Sequence, residues 1–208
     1  MSNFVPSSVR RHATRGAIAA LLALSPSLAF AHPGHGDSYG FAQGFMHPVG
    51  GLDHVLAMVA VGIFAASLGG RALWAVPASF VGLMAVGGGL GMAGIDVPFV
   101  EFGIVGSIIV LGLVVALGYR NWPLGAAMAL VGFFALFHGH AHGAEMPESA
   151  SGAAYAVGFM LATALLHMVG IGAGLALGKA GEARAPRLVQ GLGVVVAVAG
   201  LGLLAGAM

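Results

Sequence analysis

The chain has 208 residues, of which 59% are hydrophobic and only 7% are charged, and its formal net charge is +1. A soluble domain carries about 25% charged residues, so this composition indicates an integral membrane protein in a lipid bilayer. The near-neutral charge argues against a nucleic-acid partner, no nucleotide-binding motif points to ATP, and the absence of cysteine excludes disulfides and thiolate metal sites.

Residues 1–31 are predicted to be a secretory signal peptide. Three arginines within the first fifteen residues precede the apolar stretch Ala17–Leu24, and Ala29-Phe30-Ala31 matches an A-x-A cleavage site. An uncleaved first helix is the alternative, but Pro26 and the short apolar stretch favour cleavage. The mature protein would then begin at His32, on the outer side of the membrane.

The segment 32–46 is predicted to be a short His-rich stretch on the outer side, ending in an interfacial turn. His32 and His35 could bind a divalent cation together with the amino terminus that cleavage would create. The alternative is a solvated tail without a bound ion. Phe41 and Phe45 are four residues apart, which is enough for one or two helical turns.

Residues 47–208 are predicted to form an all-α membrane domain with six transmembrane helices. A bilayer is crossed by about 20 apolar residues. The fourth apolar segment is short unless it continues through the histidines that follow it, so those histidines are expected to lie on the helix. The six segments are Leu52–Leu68, Leu73–Met92, Val97–Leu117, Pro123–Phe137, Ala153–Leu177 and Leu188–Met208.

The charges between these segments predict the orientation. Lys and Arg occupy the first, third and fifth connections, whereas the second and fourth contain acidic residues and no Lys or Arg. Positive residues mark the cytoplasmic side. Both mature termini are therefore expected on the outer side, in agreement with a cleaved signal peptide.

Ionisable side chains collect where helices meet the outer side. Such groups are costly at membrane depth and indicate functional sites. We predict a metal or proton site here, with a structural polar network as the alternative. Glu101, about one turn inside the third segment, is expected to face a cavity or a cation. The other candidates are His47, Asp53, His54, His138, His142 and Glu145.

The Pro- and Gly-rich stretch 48–51 is predicted to break the helix between His47 and His54. On an unbroken helix these two residues would lie about 10 Å apart along the axis, too far to share one ion. A break lets them converge. Asp53 would then lie in the first turn of the new helix, where the positive end of the helix dipole favours a carboxylate.

Helical spacing separates the remaining histidines. His138, His142 and Glu145 stand at i, i+4 and i+7 and share one face, whereas His140 points elsewhere and is expected to support the site. His167 lies midway along the fifth segment. It is either an inner station on an ion path or a buried hydrogen bond between helices. Imidazole with carboxylate suits Ni, Zn, Cu or Fe, and ligand type alone does not choose among Ni²⁺, Co²⁺ and Zn²⁺.

Two motifs resemble those of a known family. His47-Pro48-x-x-Gly51-x-Asp53-His54 resembles the H-P-x-x-G-x-D-H signature of the HupE/UreJ hydrogenase and urease accessory proteins. Phe137-His138-x-x-Ala141-His142-Gly143-x-Glu145 resembles that family's second motif, F-H-x-x-A-H-G-x-E. The signal peptide, length and six spans are also similar, so the resemblance covers essentially the whole chain.

This resemblance implies a multi-pass permease of the bacterial inner membrane that carries Ni²⁺, or Co²⁺, inward for hydrogenase or urease maturation. It implies that the six motif residues bind the metal during transport. Glu101 lies outside both motifs and is a candidate only because an ionisable group is costly at membrane depth. We expect a transporter rather than an enzyme, without a prosthetic group. The alternative is an intramembrane zinc-dependent hydrolase, although H-E-x-x-H is absent. A haem protein is a third reading, for which an i, i+4 histidine pair is poorly suited.

Overall fold

The computed structural model describes residues 37–146, 151–179 and 185–207, and the regular structure in these ranges is helical. The predicted signal peptide, His32 and His35 lie outside the described residues. Seven helices follow one another: α1 (Asp37–Gly50), α2 (Leu52–Leu68), α3 (Ala72–Met92), α4 (Val100–Leu117), α5 (Leu124–Ala144), α6 (Gly152–Gly178) and α7 (Ala185–Ala207).

The described helices have membrane length. The helices α3–α7 are each long and apolar enough to cross a bilayer, and α1 with α2 make a sixth span if the bent pair counts as one. Helices are stable in the hydrocarbon core of a bilayer because backbone N–H and C=O groups form hydrogen bonds within the same helix. Helix α5 continues through His138 and His142, as the sequence predicts. The all-α, multi-span prediction is thus confirmed for the described part of the chain.

The break before α2 lies at Gly51 alone. Gly51 is extended, with φ −93° and ψ 120°, and α1 and α2 meet there at 80°. Helix α1 differs from the prediction, since it has 14 residues and runs through Pro48 to Gly50. Pro48 lies in the last turn, where its missing N–H removes one helical hydrogen bond and only two residues of the helix follow. Helix α1 is also held against α6 at Gly44 and Gly158, where an added Cβ would overlap the facing backbone.

Helix α5 packs directly on the backbone of α3. A Cβ added to Gly139 or Gly143 would overlap the carbonyl oxygen of Met84 or Gly88. Residues at i and i+4 share a helix face, so the two glycines present one face of α5 to α3. His138 and His142 each come one residue earlier, about 100° around the helix. The glycines therefore set the rotation that directs both histidines towards His54 of α2.

Apolar side chains fill the rest of the bundle. Met58, Phe64, Phe80 and Ile108 are fully buried within it. Helix α2 packs on α6, and α4 packs on α7. One end of the bundle contains the start of α2, the end of α5 and the starts of α4 and α6, and we call it the site end.

Candidate metal site

Three buried histidines meet near the site end. The Nε2 atom of His54 lies 2.9 Å from Nδ1 of His138 and 2.6 Å from Nε2 of His142. His54 comes from the first turn of α2, and the other two come from the last two turns of α5. All three residues are buried. We call them the histidine cluster.

Ser107 of α4 determines which nitrogen of His138 faces the cluster. The Ser107 hydroxyl donates to the carbonyl oxygen of Ile104 at 2.6 Å, and its Oγ lies 2.8 Å from Nε2 of His138. A hydroxyl has one hydrogen, so Oγ accepts from Nε2, which must carry the ring proton of the neutral imidazole. This assignment follows from the hydrogen-bond pattern. The Nδ1 atom of His138 therefore presents a lone pair to His54.

Asp53 orients His54 in a similar way. Its Oδ1 lies 3.5 Å from Nδ1 of His54. A carboxylate beside one ring nitrogen favours the proton on that nitrogen and leaves the lone pair on the other. The lone pairs of His54 and His138 then face each other, an arrangement that a cation between them would stabilise. Two nitrogens bound at right angles, each about 2.1 Å from one ion, are about 3.0 Å apart. The spacing between His54 and His138 is close to this, at 2.9 Å.

A second group of possible ligands lies closer to the surface. The Nε2 atom of His47 is 3.6 Å from Oε2 of Glu145, and Nδ1 of His142 is 3.9 Å from the same oxygen. Ligand atoms of these three residues lie within 4.8 Å of one another. The side chains of His47 and Glu145 are 36% and 58% exposed. We call His47, Glu145 and Nδ1 of His142 the mouth group.

A cavity of about 310 Å³ joins the two groups to the surface. Asp53, Glu101 and Glu145 contribute to its wall, together with His47, His54 and His142. Several negative carboxylates lining one cleft raise the local concentration of cations. The cavity therefore offers a negatively charged approach to the mouth group and to the histidine cluster.

The structure brings most of the predicted site residues together. Helix α4 begins at Val100, so Glu101 lies in its first turn and is exposed, not one turn inside as the sequence predicts. Glu101 reaches the cavity wall but belongs to neither group. His140 points away from the cluster, as predicted, and its Nε2 donates to the carbonyl oxygen of Ile95 at 2.8 Å. The role of these residues as metal ligands stays a prediction.

Two residues that contact the histidine cluster were not predicted from the sequence. Ser107 carries a signal, because it is the one hydroxyl residue in the apolar helix α4. Phe80 carries none, since it resembles any aromatic residue of a membrane helix. Its ring lies 5.8 Å from that of His138, between centroids.

Two comparisons with known proteins give matches over most of the chain. The family model described as "HupE / UreJ protein" matches residues 19–203. Protein HupE of Rhizobium leguminosarum bv. viciae is 49% identical over 189 residues, which cover 90% of this chain and 95% of that protein. No solved structure matches the chain. The family match spans α1–α6 and most of α7.

Proposed function

This chain belongs to the HupE/UreJ family, and from that premise we propose that it carries a divalent transition-metal ion into the cell by secondary or facilitated transport. Ni²⁺ is the foremost cargo and Co²⁺ the second, and the ion supplies the maturation of a metalloenzyme, a hydrogenase or a urease. The observation that carries the proposal is the convergence of three buried imidazole nitrogens inside a bundle of membrane-length helices.

The mouth group and the histidine cluster support stepwise movement of the ion, because they share one imidazole. His142 directs Nδ1 to the mouth group and Nε2 to the cluster. A neutral imidazole has a single lone pair. His142 can therefore hold an ion in only one of the two groups at a time. An ion that passes from the mouth group to the cluster requires the ring proton of His142 to change nitrogen.

The ligand set also suits release. A transport site must bind well enough for the ion to enter and weakly enough for it to leave. Three imidazoles without a directly bound carboxylate meet that need, since Asp53 faces the far nitrogen of His54. A zinc-dependent hydrolase is not favoured, because the H-E-x-x-H arrangement of such enzymes is absent.

We place the site end on the outer side of the inner membrane. Asp96, Glu101 and Glu145 lie towards the site end, whereas Arg71 and Arg120 follow the helix ends on the other side. Positive residues stay in the cytoplasm. The mature chain would then span the membrane with both termini outside, after removal of residues 1–31. A carboxyl-terminal reporter that works only outside the cytoplasm should be active, and activity of a cytoplasm-only reporter would contradict this topology.

The transport test compares two histidines on the same helix. His142→Ala removes the imidazole that both ligand groups share. His140→Ala removes a residue of equal type and similar burial that faces away. In proteoliposomes with an internal metal indicator, His142→Ala should lower Ni²⁺ uptake by about tenfold or more. His140→Ala should keep most of the uptake. Co²⁺ and Zn²⁺ in parallel assays establish the order of preference, and no uptake of any of them by the wild type would refute the proposal.

A further inference from the structure

His167 of α6 is buried, and no described residue forms a hydrogen bond with its ring. Its exposed fraction is 0%, and neither ring nitrogen has a partner among residues 37–146, 151–179 and 185–207. A buried polar group without a partner destabilises the fold, so such groups are rare in native proteins. A leucine of similar volume would fill this place without that cost. The imidazole therefore calls for an explanation other than packing.

The position of His167 relates it to the histidine cluster. The ring of Phe80 lies 5.8 Å from the ring of His138 and 5.1 Å from the ring of His167, between centroids. A single aromatic ring thus separates the cluster from His167. Helix α6 starts at the site end, and His167 lies near its middle. The order from the site end is the mouth group, the histidine cluster, Phe80 and His167.

The described neighbours of His167 pack against its backbone but make no polar contact with its ring. A Cβ on Gly62 of α2 would overlap the carbonyl oxygen of His167, so the two helices touch at this point. One turn closer to the site end, the hydroxyl of Thr163 donates to Sδ of Met84 at 3.7 Å, and both residues are buried. The hydroxyl donor and the thioether acceptor of this layer thus bind each other, whereas the imidazole nitrogens of His167 bind no other described residue.

We propose that His167 is an inner binding station for the transported ion, one aromatic ring beyond the histidine cluster. This inference rests on the proposed transport function and deepens it. Rotation of the Phe80 side chain would open the way between the two sites. A neutral imidazole offers one lone pair to a divalent first-row metal. Since His167 is the one imidazole in this layer among the described residues, it holds the ion weakly enough for onward release.

The first test is His167→Leu in the full-length protein. Leucine removes the two unpaired nitrogens and leaves little empty space, so the fold should persist. Ni²⁺ uptake into proteoliposomes should fall by about tenfold or more. Equilibrium binding of Ni²⁺ to the histidine cluster in nanodiscs should change by less than about twofold, because the nitrogens of the cluster are unaltered.

A second variant reports on the ion directly. The chain contains no cysteine, so His167→Cys introduces a single thiol. Co²⁺ bound to a thiolate gives a charge-transfer absorption band in the near ultraviolet. The matched control is Ile108→Cys, since Ile108 is also fully buried but lies against Gly200 of α7.

The outcomes separate the inner station from the transport function. A Co²⁺–thiolate band in His167→Cys and not in Ile108→Cys, with slow uptake by His167→Leu, supports the station. Absence of that band, or full uptake by His167→Leu, overturns it. Equal loss of cluster affinity and uptake in His167→Leu also overturns it, because His167 would then merely support the cluster. If the wild type carries no ion but the band appears, the transport function is wrong and the inner site stands.

Discussion

Replacing Ser107 with alanine should weaken metal binding at the histidine cluster while the fold persists. The Ser107 hydroxyl accepts from Nε2 of His138 in a position where both side chains are fully buried. Without the hydroxyl, the proton of His138 can move to Nδ1, and the lone pair then points away from His54. The variant tests whether this one contact keeps the lone pair in the cluster.

Ser107→Ala should change both the stability of the protein and its affinity for metal. Leaving the buried Nε2–H of His138 without an acceptor costs about 1–3 kcal/mol of stability. Groups that orient a metal-binding histidine change metal affinity by about 10–100-fold. At about 1.36 kcal/mol for each factor of ten, that is a loss of about 1.4–2.7 kcal/mol in binding free energy. We therefore expect Ser107→Ala to raise the Kd for Ni²⁺ by about 10–100-fold.

Ser67→Ala is the matched control. The Ser67 hydroxyl donates to the carbonyl oxygen of Phe64, three residues back at 2.7 Å, which is the same helical bond that Ser107 makes to Ile104. It contacts no imidazole among the described residues. Any effect that comes only from the loss of a serine in an apolar helix should appear in both variants.

Calorimetric titration of Ni²⁺ into the protein in nanodiscs measures the affinity. Nitrogen-15 NMR of labelled histidine reports which ring nitrogen of His138 carries the proton, and thermal unfolding reports stability. A Kd for folded Ser107→Ala within about twofold of the wild type would refute the reasoning, since an orienting group should cost at least tenfold. An equal loss of affinity in Ser67→Ala would refute it as well.

Two further predictions concern glycines. A Cβ on Gly51 would lie 2.7 Å from Oδ1 of Asp53, whereas one on Gly50 would have no described atom within 4 Å. Gly51→Ala should therefore displace the carboxylate and lower Ni²⁺ uptake by about tenfold. Gly50→Ala is the control and should leave the uptake unchanged. Equal uptake by the two variants would show that the Asp53 position does not matter. Gly139→Ala should destabilise the protein by about 1–3 kcal/mol in thermal unfolding, because its Cβ would overlap the α3 backbone. Gly125 lies on the same helix, and an added Cβ there would have no described atom within 4 Å, so Gly125→Ala should stabilise the protein by up to about 1 kcal/mol. An equal loss of stability in both variants would argue against the contact between Gly139 and α3.

The sequence alone was sufficient for the helical, membrane-spanning character of the chain. Apolar segments of bilayer length form helices because each helix satisfies its own backbone hydrogen bonds, which requires no information from distant residues. The same local rule explains why the shared face of His138 and His142 and the opposite direction of His140 were predictable. The break before His54 was also predictable, although its location at Gly51 alone was not. Pro48 stays helical near the end of α1, a helix that packs on α6.

Only the tertiary structure decided which atoms meet. The approach of His54 to His138, the bond from His138 to Ser107 and the ring of Phe80 beside His167 join helices that are distant in the chain. Each depends on how far one helix rotates and slides against another. That rotation is set by close backbone contacts such as the one at Gly139, where two distant segments must fit each other at once. No local pattern contains this information, so the partners of the histidines appear only when the helices are packed.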